Sequence, residues 1–126
     1  MDTLAPGLAA TYEKTAEPAE SAAALGSGGL EVFSTPSLVA LFEITAKRLV
    51  DPLLDPGEST VGIEISVKHL KATRIGRPVR CTATVTGVDG RRIVFTGEMW
   101  DDQGRIGEGV HTRYVVKDVE FLKRLG

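Results

Sequence analysis

From residue 60 onward apolar and polar residues alternate with a period of two. Val61, Ile63, Ile65 and Val67 alternate with Thr60, Gly62, Glu64, Ser66 and Lys68; Val79, Cys81, Ala83 and Val85 alternate with Arg80, Thr82, Thr84 and Thr86. That period sends successive side chains to opposite faces and predicts half-buried strands. Asp89-Gly90 is a two-residue hairpin signal, after which Ile93, Phe95, Gly97 and Met99 alternate with Val94, Thr96, Glu98 and Trp100. Asp101–Gly104 supplies a further turn, Arg105 to Val116 the last long strand, and Asp118 to Leu125 a short helix. Upstream the period is helical: Leu38, Leu41, Phe42, Thr45 and Leu49 predict a helix over 35–50. Thr35 reads as its N-cap, Pro36 as its first helical residue, and Asp51-Pro52 as its stop.

Residues 1–29 are poor in large apolar side chains; eight are Ala, and the segment ends in Gly26-Ser27-Gly28-Gly29. Leu8 to Thr15 can form one strand, and the remainder reads as a mobile loop or as a flap over a pocket. The order is then strand, loop, one long helix and four consecutive antiparallel strands. One apolar helix covers one face of so wide a sheet only if the sheet curls around it. The predicted class is α+β: a curved antiparallel β-sheet wrapped around one long central α-helix, in a single domain over 1–126. This architecture resembles the hotdog fold, whose usual unit is a homodimer.

Charge and composition narrow the function classes. Fifteen Lys+Arg against 17 Asp+Glu give a net charge of −2, so a basic footprint for nucleic acid is absent. A single cysteine, Cys81, leaves no intrachain disulfide. No basic start precedes an apolar run and no stretch is apolar enough for a membrane span, so the expected location is cytoplasmic. No His/Cys set has zinc spacing, and no phosphate loop or nucleophile elbow is present.

A few residues stand out as candidate chemistry. His69 shares the parity of the apolar positions Val61–Val67 and so sits inward at a strand end, as a structural histidine or as a proton-transfer group. Glu43 lies mid-helix beside Leu41 and Phe42; it is either a solvent-facing carboxylate or, if buried, one with a raised pKa suited to general-base work. Thr35 stands at a helix N-terminus, where N–H groups favour an oxyanion. Thr35 and Glu43 lie eight positions apart, about 12 Å of helix rise. Arg113 reads as a solvent-facing sheet residue or a site group, and His111 as a surface residue. Lys68, Lys71, Arg74, Arg77 and Arg80 crowd into 13 positions with no acid among them, as a solvated edge or a phosphate-docking mouth.

Together these positions resemble the hotdog-fold thioesterases of the fluoroacetyl-CoA thioesterase type, from about Phe33 to Val116. The resemblance is carried by Val32-Phe33-Ser34-Thr35 entering a helix, Glu43 eight residues on, Gly62, and His69 in Val67-Lys68-His69-Leu70-Lys71. It continues through Gly76-Arg77-Pro78-Val79 and Gly107-Glu108-Gly109-Val110-His111-Thr112-Arg113. It implies hydrolysis of a short or medium acyl-CoA thioester with Thr35, Glu43 and His69 as the catalytic set. Gly62 would lie near the thioester carbonyl and Arg113 near the substrate, while Lys71, Arg74 and Arg77 would meet the CoA phosphates. No metal or other cofactor is implied; coenzyme A enters as part of the substrate. Where the family's fluoroacetate-handling enzyme has bulky aromatic flap residues, Ser21–Gly29 here is small, with Leu25 its only large residue, which leaves the acyl group open. The alternative readings are a non-catalytic acyl-CoA or acyl-carrier binding module, a hydratase on the same fold, and a structural dimer.

Overall fold

The computed structural model describes residues 3–126. Strand β1 (Ala9–Thr15) leads through a single 3-10 turn and the short helix α1 (Ala22–Leu25) to the long helix α2 (Thr35–Val50). Strands β2 (Glu58–His69), β3 (Pro78–Asp89), β4 (Arg92–Asp101) and β5 (Gly104–Lys117) follow, and α3 (Asp118–Arg124) closes the described chain. The five strands form one antiparallel sheet in the order β1-β3-β4-β5-β2, which leaves β2 as an edge.

Helix α2 lies on one face of this sheet because its apolar residues recur every three to four positions. Leu38, Leu41, Phe42, Ala46 and Val50 are buried against Val79, Cys81, Ala83, Val85, Ile93, Phe95, Met99 and Ile106. Arg48 stacks on the Tyr12 ring at 4.5 Å, tying the last turn of α2 to β1. Helix and sheet pack tightly at Gly97, where an added Cβ would fall 2.6 Å from the Phe42 ring. Gly97→Ala therefore overpacks the core, and we expect a loss of about 1–3 kcal/mol, read as a lower thermal midpoint, with the fold retained.

Two sequence expectations are corrected here. The N-cap is Ser34, not Thr35: the buried Ser34 hydroxyl accepts from the Ser37 N–H at 3.1 Å, and Thr35 begins the helix with its own hydroxyl uncommitted to capping. Val61 and Ile63 do not share a face with Ile65 and Val67, because a β-bulge between Gly62 and Glu64 inserts one residue into β2. Before the bulge Thr60 and Gly62 face the helix; Ile63 is 52% exposed; after it Ile65, Val67 and His69 face inward.

The segment between β1 and α2 is held by backbone bonds. Ala22 N–H donates to Val32 O at 2.9 Å, Ala23 N–H to Leu30 O at 3.0 Å, and Ser34 N–H to Glu20 O at 3.0 Å. Gly26 takes a left-handed conformation (φ 74°) that ends α1, a position that favours glycine. No helix among the described residues is long and apolar enough to cross a membrane.

Candidate active site

The first turn of α2 and the last residue of β2 meet. Thr35 Oγ1 and His69 Nδ1 are 2.8 Å apart, a hydrogen bond made possible by the capping role of Ser34. The opposite ring atom, His69 Nε2, is buried and has no hydrogen-bond partner among the described residues. Burial holds the His69 pKa below the ordinary value of 6.5, opposed by the backbone at Lys71. The ring is therefore neutral at pH 7 and able to take up a proton. Beside it opens a cleft of about 380 Å³, lined by Ala22, Ser27, Thr35, His69, Leu70 and Lys71. The positive end of the α2 dipole lies at this end and favours developing negative charge; Pro36 has no N–H, and those of Ser37 and Leu38 are donated to Ser34.

A second hollow of about 520 Å³ shares Val32 and Ala72 with that cleft and is lined also by Thr73, Arg74, Arg77 and Asp102. The five-base arc does not form one patch. Lys71 lines the first cleft, while Arg74 and Arg77 line the second. Lys68 and Arg80 border hollows on the other face of the sheet, Arg80 over the Trp100 ring at 5.5 Å. Strand parity is the cause, since each of these two has the opposite parity to its inward neighbour, His69 or Val79. Arg77 is also partnered, its Nη1 lying 2.7 Å from Asp102.

Glu43 is the centre of a separate cluster two turns along the same helix. Its side chain is 41% exposed, so it stands at the core margin and is not buried as one reading of the sequence had it. Arg113 is 6% exposed, which excludes the solvent-facing reading, and its Nη1 lies 3.9 Å from Glu43 Oε2. Burial pushes the Arg113 pKa down, and Glu43 and then Asp51 oppose that shift. An added Cβ on Gly62 would lie 3.1 Å from Glu43 Oε2 and 3.3 Å from Arg113 Nη1, so the missing side chain is what lets β2 approach the carboxylate.

His111 belongs to this cluster and corrects the surface reading: it is 1% exposed. Its signal was present in the sequence, since it shares the parity of Arg113 on β5. Cys81 is not a candidate nucleophile, because burial raises its thiol pKa to about 11 against an opposing Thr45 hydrogen bond. Among the described residues no group of three or more His, Cys, Asp or Glu is gathered as a metal site.

One chain thus brings Thr35 to His69 and Glu43 to Gly62 and Arg113, but leaves the two groups about 12 Å apart along the helix axis. The first group sets a neutral imidazole beside a hydroxyl and a helix N-terminus, and the second a carboxylate beside an arginine, groups able to move a proton and to meet developing negative charge.

Known proteins share this fold. The chain is 40% identical over 91 residues to the fluoroacetyl-CoA thioesterase of Streptantibioticus cattleyicolor, spanning 72% of this chain and 66% of that protein, just under two thirds of its length. The solved structure of the fluoroacetyl-CoA thioesterase FlK superposes with a TM-score of 0.92 at 31% identity, covering 98% of this chain and 96% of that one. A variant of FlK in complex with fluoroacetate and CoA superposes at 0.89 and 31%, covering 94% of this chain and 99% of that one. The fold is that of the hotdog-fold thioesterases. Residues 16–119 match the fluoroacetyl-CoA-specific thioesterase family, and the chain belongs to that family.

Proposed function

We propose that this protein hydrolyses short or medium acyl-CoA thioesters, adding water across the C–S bond to give the free acid and the CoA thiol. The observation that carries the reading is the Thr35–His69 pair, with its unpartnered Nε2, beside a cleft at a helix N-terminus. In this reading His69 moves the proton, Thr35 orients the ring, and the positive end of the α2 dipole favours the oxyanion. Glu43 activates water or attacks the carbonyl, and Arg113 holds its charge in place. Gly62 leaves room for the thioester. Lys71, Arg74 and Arg77 face the CoA phosphates along the paired hollows, and the CoA bound to the FlK variant supports that class of ligand. No cofactor enters beyond the CoA carried by the substrate.

The same reading makes the working unit a homodimer of single-domain chains in the cytoplasm. Strand β2 is an edge with exposed Ile63, which supports isologous antiparallel pairing along it. Each copy's Glu43 end is then carried toward the partner's Thr35–His69 end. Residues 21–29 act as the flap at the acyl end, with Ala22 and Ser27 at the cleft wall. Their small side chains favour acyl groups larger than fluoroacetyl.

A second reading, acyl-CoA binding without turnover, draws on the separation of Glu43 from His69 within one chain. A panel of acyl-CoAs of graded chain length separates the two. Hydrolysis predicts release of free CoA thiol from at least one member. A thermal shift with acyl-CoA and no thiol released from any member supports the binding module instead.

A further inference from the structure

His111 takes no part in the chemistry above, yet every polar atom of its ring is committed. Nδ1 lies 2.8 Å from the main-chain oxygen of Glu64, at the β2 bulge, and Nε2 lies 3.1 Å from Arg113 Nη1. A carbonyl oxygen only accepts, so Nδ1 carries the proton; a guanidinium only donates, so Nε2 offers its lone pair. The two partners therefore specify one neutral tautomer. Phe42 packs edge-on to the ring with centroids 5.5 Å apart, and Phe95 stacks on it at 6.0 Å.

The consequence falls on Arg113. Its Nε donates to Thr60 Oγ1 at 2.8 Å, Nη2 to Thr60 O at 2.9 Å, and Nη1 to His111 Nε2. All three nitrogens are fixed, and Nη1 keeps one hydrogen for Glu43, 3.9 Å away. At that distance charge attraction persists without a direct hydrogen bond, so both carboxylate oxygens stay available to water or to an acyl carbon.

We infer that His111 is a positioning residue: as a neutral acceptor in the Nδ1–H tautomer it aims Arg113 at Glu43 and keeps that carboxylate oriented for the reaction. The inference rests on the role of Glu43 proposed above. An imidazolium would set two donors against each other across the Nε2–Nη1 contact and turn the guanidinium away. The charged groups around the ring are Arg113 on β5 and Glu43 on α2, with Asp51 beyond Arg113. Burial keeps the ring neutral; the Glu64 carbonyl opposes it, Arg113 adds to it, and Glu43 opposes it.

The test has two arms. Long-range 15N NMR of the unaltered, substrate-free protein near neutral pH reads the tautomer, and the expected signature is a neutral ring protonated at Nδ1. In the second arm, His111→Phe keeps a ring between Phe42 and Phe95 but removes the acceptor, and lowers kcat by about 10- to 100-fold. His111→Gln restores an acceptor and recovers most of that loss. In an Arg113→Ala background His111→Phe adds nothing further, because it acts through the arginine. A charged or Nε2–H ring overturns the inference, as does His111→Phe at full kcat while Glu43→Ala is inactive, or losses that multiply in the double variant. If Glu43→Ala itself turns over normally, the role proposed for Glu43 fails while thioester hydrolysis stands, and the NMR arm still reports on the ring.

Discussion

Replacing Glu43 with glutamine is expected to lower turnover of the best acyl-CoA by about 10²–10⁴-fold, the range for loss of a general base. Glutamine keeps the volume and a hydrogen-bonding carbonyl, so packing on Gly62 is preserved while the negative charge is lost. The change would leave the buried Arg113 guanidinium without its nearest carboxylate, yet still hydrogen-bonded to Thr60 and His111. Thermal unfolding should therefore move little while kcat collapses. Wild-type kcat in a folded Glu43→Gln protein would remove Glu43 from the chemistry.

The second large effect belongs to His69. Its replacement by alanine removes the buried Nε2 and the partner of Thr35, and should lower turnover by about 10² or more. The same residue sets a pH dependence. Burial lowers the folded pKa of both His69 and His111 from 6.5, so the unfolded chain binds more protons as pH falls through that value. Stability is then full above the unfolded pKa and declines as pH drops toward the folded values. The acid limb of kcat/KM for the free enzyme should likewise have its midpoint below 6.5. A midpoint above that value, or an undiminished His69→Ala rate, would contradict the assignment.

Helix α2 is legible in the sequence because three signals agree there: a hydroxyl before Pro36, apolar residues at helical spacing, and Asp51-Pro52 at its end. The capping residue alone was displaced by one, since Ser34 and Thr35 offer the same chemistry and only tertiary burial of Ser34 decides between them. In β2 the alternation misleads because a bulge leaves no mark on an unbroken Val-Ile-Ile-Val pattern. His69 kept its inward face because it lies on the same side of the bulge as Ile65 and Val67. His111 misleads for the opposite reason: polar residues on a strand are read as outward, while here the Glu64 carbonyl and Arg113 satisfy the His111 ring inside, and Thr60 satisfies Arg113. The basic arc looked continuous because linear proximity hides the pleat, which sends Lys68 and Arg80 to the face opposite His69.

In the proposed dimer two copies complete one site, with Thr35 and His69 from one and Glu43 from its partner. Heterodimers of a His69→Ala chain and a Glu43→Ala chain, isolated through two different affinity tags, test it directly. Each such dimer would hold one intact site and one doubly altered site, and should recover about half of wild-type turnover from two nearly inactive parents. Heterodimers no more active than their parents, or chains that fail to pair at all, would contradict the claim.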